Sequence, residues 1–399
     1  MNNSSQPIGE TVRRLRTTLG ISQGDLADRS GIPTGTMSMI ENDRVSATSE
    51  IIDALSAVLD CTPTYLRATP SDLLTGRPWL RAYADAPNRI VDQVVADSST
   101  AIDSAHRLGL RFVPDVLPLF SGDANDDDDV EAFALQVRAE AGLGEIEVVR
   151  NAVRAAERLG CVVLPMTSEL GRHLGLSTRV DGTAVIRVAR PSDGTGHSVP
   201  GDRQRFTVAH ELGHLALHHE RRPPDSAAEA ARIEKQAHRF AAAFLAPAAP
   251  LLDDLERAGG RVTLNTLADL KEIWGVAIKA LVVRFQGLGV IDEDHARSLY
   301  KQISSRKWNK AEPVHVPNEE SVWLSKAVVR KYGDDRNALA HASHELGLGQ
   351  AYFSRWVDWD APASSAPAEV ITLDAARSAS RPVRTEFDGR ARVTRLPVR

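Results

Sequence analysis

His210-Glu211-Leu212-Gly213-His214 sets two imidazoles four residues apart, with a carboxylate directly after the first. On an α-helix such residues lie one above the other, separated by about 6 Å of rise, so both rings converge on one point. Two neutral imidazoles at one point are a ligand pair for a divalent cation, zinc above all. Glu211 then stands beside the ion without ligating it, where it can take a proton from water. Phe206, Val208, Leu212, Leu215 and Leu217 supply apolar surface, so the helix is expected to be buried. Gly213 is expected to leave room beside the metal. The chemistry this pattern supports is metal-assisted amide hydrolysis.

A catalytic zinc takes three protein ligands and one open position. His218 continues the stripe, but positions 210 and 218 are about 12 Å apart along one helix, against zinc–nitrogen bonds of about 2.0–2.1 Å. A third histidine further along the same motif is also absent, because Leu217 and Glu220 stand where a glycine and a histidine would be needed. The third ligand must therefore come from another element. A helix over about Ser226–Leu245, stopped by Pro247, offers Glu229, Glu234 and His238. Glu234-Lys-Gln-Ala-His238 puts a carboxylate and an imidazole on one face. Glu234 is the expected ligand, and His238 is expected to orient it or a ligand histidine. Ligation by His238 itself, or an exposed pair with no metal, are the alternatives. His344-Glu345-Leu346-Gly347-Leu348 copies the start of the motif without its second histidine and is not expected to bind metal.

Arg205-Phe206-Thr207-Val208-Ala209-His210-Glu211-Leu212-Gly213-His214-Leu215, followed by Leu217-His218-His219, resembles the ImmA/IrrE family of zinc metallopeptidases. Glu234-x-x-Ala237-His238-x-Phe240-Ala241-x-x-Phe244-Leu245-x-Pro247 resembles that family's second motif, although the family usually has Asn where His238 stands. The Trp274-Gly275-Val276 turn is also similar, so the likeness covers roughly 130–300. It implies a zincin-like fold with Zn2+ held by His210, His214 and Glu234, and Glu211 as the catalytic carboxylate. It also implies a protein substrate, a repressor or similar regulator.

Residues 8–66 read as a compact set of short helices. Ile8, Val12, Leu15 and Leu19 make one stripe ended by Gly20, and Ser22 with Asp25 forms a capping-box pattern. Gly31 makes a turn and Pro33 opens the next helix. Ser22-Gln23-x-x-Leu26-Ala27, Ser30-Gly31-Ile32 and Thr36-Met37-Ser38-Met39-Ile40-Glu41-Asn42 resemble the lambda-repressor-like (Xre-type) helix-turn-helix family. The resemblance implies double-stranded DNA as partner, with Gln23 on a phosphate and Thr34, Gly35, Thr36, Ser38 and Met39 at the major groove. Thr, Gly and Met read bases poorly. Segment 1–70 also carries six Arg against eight acidic residues, so the counterion-release contribution is small. Useful affinity then calls for a homodimer and for Arg13, Arg14, Arg16 and Arg44 to gather on one face. A protein-interaction role for the same helices is the alternative.

The 399 residues suggest two to four domains. A net charge of −5 excludes a protein that coats nucleic acid through bulk charge. Two cysteines, Cys61 and Cys161, in separate segments point to a reducing cytoplasm, and no apolar run suits a leader or a membrane span. The expected architecture is multidomain. An all-α helix-turn-helix domain (1–70) is followed by a connector with an acidic linker (71–129), holding a helix around Ile90–Leu108 and the run Gly122–Asp129. An α+β zincin-like metallopeptidase domain (130–256) comes next, with helices near Val130–Ala141 and Glu147–Leu159 and strands Cys161–Pro165 and Thr183–Ala189. The second strand is either a core strand or an edge that pairs with an extended substrate. A helical C-terminal region (257–360) contains two further helix-Gly-helix units, and a disordered basic tail (361–399) closes the chain with seven Arg after residue 376.

The function these features imply is a zinc endopeptidase that acts as a regulator, its helix-turn-helix recruiting substrate or finding it on DNA. The rival reading is a transcriptional repressor whose peptidase-like domain senses a ligand and cuts little or nothing.

Overall fold

The computed structural model describes residues 7–68, 88–166, 173–191, 199–219, 224–333 and 337–359. The expected basic tail and the first part of the connector lie outside them. Helices α1 (Gly9–Thr18), α2 (Gln23–Ser30), α3 (Thr34–Glu41), α4 (Ser49–Val58) and α5 (Pro63–Arg67) close around Val12, Leu15, Leu26, Met37, Ile40 and Leu55. The capping box is present: Ser22 Oγ accepts from Asp25 N–H, and Asp25 Oδ2 accepts from Ser22 N–H, each at 3.0 Å. Gly31 turns the chain at φ 68°, and Pro33 caps α3.

Helix α6 (Asn88–Arg107) is more than a connector. Its polar residues Asp97, Ser98, Thr100, Asp103 and Ser104 are fully buried. Burial of such groups is costly unless each is hydrogen-bonded; Ser104 donates to Thr100 O within the helix, and the other four each have a partner in a different part of the chain. Arg14 of α1 reaches Asp103 at 2.7 Å, and Thr18 and Thr100 share a hydrogen bond of 3.0 Å.

The next helices are α7 (Asp127–Glu140) and α8 (Ala152–Arg158). The acidic run is not a free linker, because Asp126 caps α7 by accepting from Asp128 N–H (2.9 Å) and Asp129 N–H (3.4 Å). Three carboxylates in the first turn also meet the positive end of the helix dipole. Three strands follow: β1 (Val162–Pro165), β2 (Gly175–Val180) and β3 (Thr183–Val188), in the order β1-β3-β2. Strands β2 and β3 form a hairpin across Asp181-Gly182, both at positive φ as a tight primed turn requires. Strand β3 is therefore the centre of the sheet and cannot be the edge that receives a substrate. Strand β2 was not expected from sequence, since Gly175-Leu-Ser-Thr-Arg-Val180 lacks a clear apolar alternation.

Helix α9 (Gly201–Leu217) carries the histidines, and α10 (Ala227–Leu245) crosses it, followed by α11 (Ala248–Arg257). Gly213 faces α10 at this crossing. A Cβ there would stand 2.9 Å from the Phe240 ring, so the glycine makes room for the neighbouring helix and not, as expected, for the metal.

The region 257–360 divides in two. Helices α12 (Leu264–Trp274), α13 (Ile278–Gly287) and α14 (Glu293–Ser305) share one buried cluster with Leu212, Phe240 and Phe244. Helices α15 (Trp323–Tyr332), α16 (Ala338–Leu346) and α17 (Gln350–Val357) instead join the core of the N-terminal helices. Thr62 N–H donates to Gly347 O and Gly349 N–H to Asp60 O, both at 2.7 Å, so this junction is hydrogen-bonded through backbone. Ordinary packing accounts for both helix-Gly-helix units: Ile278, Leu281 and Phe285 of α13, and Tyr352, Phe353 and Trp356 of α17, are all buried. Glu345 ties to Lys331 (2.5 Å) and Tyr332 (2.8 Å) and takes part in no metal cluster among the described residues. No described helix is long and apolar enough to cross a membrane.

Candidate functional site

The α9–α10 crossing brings His210, His214 and Glu234 together, with one donor atom of each within 4.8 Å of the others. His210 Nε2 lies 3.1 Å from His214 Nε2 and 3.2 Å from Glu234 Oε2, and His214 Nε2 lies 3.4 Å from Glu234 Oε1. A tetrahedral ion with bonds of about 2.0–2.1 Å has ligand–ligand edges of about 3.3 Å. The two imidazole nitrogens and the Glu234 carboxylate, one oxygen toward each ring, thus stand at spacings close to those of ligands around one zinc-sized ion. Burial alone would raise the pKa of Glu234, but the neighbouring imidazoles of His210 and His214 hold it well below the usual carboxylate range. Burial opposes charge on His214, yet Glu234 and Glu211 raise its pKa. The pocket is anionic and welcomes a cation.

A chain of hydrogen bonds fixes which nitrogen of His214 faces that point. Asp123 can only accept, so Asn125 Nδ2 donates to its Oδ1 (2.9 Å), leaving Asn125 Oδ1 as acceptor for Gln236 Nε2 (3.0 Å). Gln236 Oε1 must then accept from His218 Nε2–H (3.0 Å). A neutral His218 therefore accepts at Nδ1 from His214 Nδ1–H (3.2 Å), and the lone pair of His214 Nε2 is aimed at His210 and Glu234. His218 thus supports a site histidine, a part the sequence signalled only by its spacing of four from His214. Partners of this kind are typically worth 10–100-fold in metal affinity. Replacing His218 with Ala should weaken zinc binding by about that factor, read by competition with a chromogenic chelator.

Among the described residues, His238 meets the ligands through its ring. Its ring packs against His210 (centroids 4.5 Å) and Phe206 (5.6 Å), forming an aromatic wall beside the site. Glu211 is buried beneath the pair, and Ser177 Oγ of β2 donates to its Oε2 at 2.7 Å. Gly175 permits this approach, because a Cβ there would meet Thr207 Cγ2 at 2.4 Å and Glu211 Cγ at 2.9 Å. Neither Ser177 nor Gly175 was foreseen, since both sit on the strand that sequence reasoning missed.

In the N-terminal domain, Thr34, Gly35 and Met39 are exposed on α3, and Thr36 and Ser38 are half-buried. Gln23, the expected phosphate contact, donates to Glu41 (2.9 Å). The four arginines do not gather on one face: Arg14 is bound to Asp103 and Arg16 to Glu41, each at 2.7 Å. Arg13 and Arg44 remain on the exposed side.

Residues 156–286 match the family described as IrrE N-terminal-like domain, a peptidase family, and residues 12–66 match the family described as Helix-turn-helix. No curated protein and no solved structure matches the chain.

Proposed function

We propose that this chain, a helix-turn-helix domain joined to an IrrE-like peptidase domain, is a zinc-dependent endopeptidase that regulates by cleaving a repressor or similar protein. The observation that carries this reading is the triangle of His210, His214 and Glu234: the two Nε2 atoms lie 3.1 Å apart, and the Glu234 oxygens Oε2 and Oε1 lie 3.2 and 3.4 Å from them, spacings that suit a tetrahedral zinc. Bound there, the ion supplies Lewis acidity, which polarises a scissile carbonyl and brings water deprotonation within reach of neutral pH. Glu211, oriented by Ser177, takes the proton from the attacking water and delivers it to the leaving amine. His238 and Phe206 wall one side of the site and limit water there. The helix-turn-helix binds double-stranded DNA through α3 or recruits a substrate that is itself on DNA.

The test is metal content. Purified protein should hold about one zinc per chain, and Glu234→Ala should lose most of it on dialysis, measured by inductively coupled plasma mass spectrometry, because a catalytic site left with two ligands binds poorly. Unchanged occupancy in Glu234→Ala would remove Glu234 from the site and with it this reading of the centre.

A further inference from the structure

We infer that the cavity beside the first turns of α9 is the subsite that selects the substrate, taking a large apolar or aromatic side chain flanked by acidic residues. This rests on the peptidase reading above. The cavity has a volume of about 530 Å³ and is lined by Phe206, Ala280 and Trp308, with Arg203, Lys279 and Lys310 exposed at its rim. That size lies within the range of pockets that enclose a ligand group.

Position argues for the site's own substrate as occupant. Arg203, Phe206 and Thr207 line the cavity, while His210, Glu211 and His214 follow on the same helix. Phe206 and Thr207 each precede a site residue by four positions, so cavity and metal triangle occupy neighbouring turns of one face, about 6 Å apart in rise. Phe206 belongs to both, since its ring also packs on His238. A peptide laid across the triangle with its scissile bond at Glu211 would drop an adjacent side chain into this cavity.

Charge argues for the flanking residues. Within the lining, Lys271 is buried and held by both Asp202 and, at 2.7 Å, Glu312. Those two acids are therefore turned inward onto one lysine. The rim is left with three cations and their attraction for carboxylates on either side of the anchoring residue. Such exposed attraction acts over about 8 Å at physiological salt and fades as salt rises.

The experiment uses the zinc-loaded full chain with a proteome-derived peptide mixture, and reads the new termini by mass spectrometry. Large apolar residues should be enriched at one fixed position from the cut, with Asp and Glu beside it. Ala280→Trp, which fills the floor, should shift preference at that position toward small side chains by about tenfold or more. Lys279→Glu combined with Lys310→Glu, both on exposed side chains, should abolish the acidic preference even if the Trp variant fails to fold. In parallel, a synthetic Asp-Asp-Phe-Asp-Asp peptide and its Phe→Ala and Asp→Lys versions are titrated calorimetrically into zinc-loaded Glu211→Gln protein. Cleavage whose preferences are the same in wild type and both variants overturns the subsite and leaves the peptidase standing. Tight binding of the Phe peptide alone, weakened by Ala280→Trp, with no cleavage of any peptide by wild type, keeps the subsite and overturns the peptidase. Neither cleavage nor binding overturns both.

Discussion

Glu211→Gln is expected to lower peptide-bond cleavage by about 10²–10⁴-fold while leaving zinc content unchanged. The amide is isosteric with the carboxylate, and its oxygen can still accept the hydrogen bond from Ser177 that holds the side chain in place. It cannot take a proton from water or return one to a leaving amine, so the general acid–base contribution alone disappears. Neither His210, His214 nor Glu234 is touched, and the buried site keeps its volume. The assay compares wild type and variant on repressors encoded beside the gene, together with binding of the corresponding operators. Loss of cleavage with DNA binding retained is the expected outcome. If wild type cuts nothing, and both proteins regulate the target genes equally, the peptidase-like domain is a sensor and the chain a repressor.

The second large effect is on stability and lies far from the triangle. Asp97 accepts from Arg187 at 2.5 Å, from Arg355 at 2.9 Å and from Trp356 Nε1 at 3.0 Å, and Asp97 and Arg187 are wholly buried. These partners come from β3 and α17, so one carboxylate on α6 joins the sheet of the peptidase domain to the C-terminal helices. Arg355 also donates to Thr18 O of α1 (3.3 Å), which extends the junction to the N-terminal helices. Breaking a buried pair from one side strands the other charge, at a cost of about 3–5 kcal/mol. Asp97→Ala should therefore lose about that much in urea unfolding, and the N-terminal helices should melt ahead of the peptidase domain. Replacing Arg187 by Met in the same protein should recover part of the loss, because the uncompensated cation is then removed. Burial raises the pKa of Asp97, but Arg187 and Arg355 more than offset this and hold it below its ordinary value. Its contribution is thus present at neutral pH and is lost as pH falls through the acid range. A single unfolding transition in Asp97→Ala, coincident with that of wild type, would show that this carboxylate does not hold the parts together.

Local pattern was enough to place the main elements. Helical periodicity located α1 to α4 and α6, the capping residues Ser22 and Ser226 marked helix starts, and the spacing of His210 and His214 put both rings on one helix face. These features depend on residues within a turn or two of each other, which a linear sequence displays directly. Strand β2 escaped because its pairing with β3 stabilises a segment whose own pattern is weak, and tertiary context overrides propensity most easily in strands.

The sequence alone determined that two histidines and a carboxylate share a helix, and that a short-helix domain precedes them. Only the tertiary structure decided which distant groups complete the site. The crossing at Gly213 and Phe240 delivers Glu234, the hairpin delivers Ser177, and the loop before α7 delivers Asp123 and Asn125 to fix a histidine tautomer. Each of these partners is set by how helices and strands pack against one another. Packing is a property of summed surfaces and close approaches, and no local spacing records it.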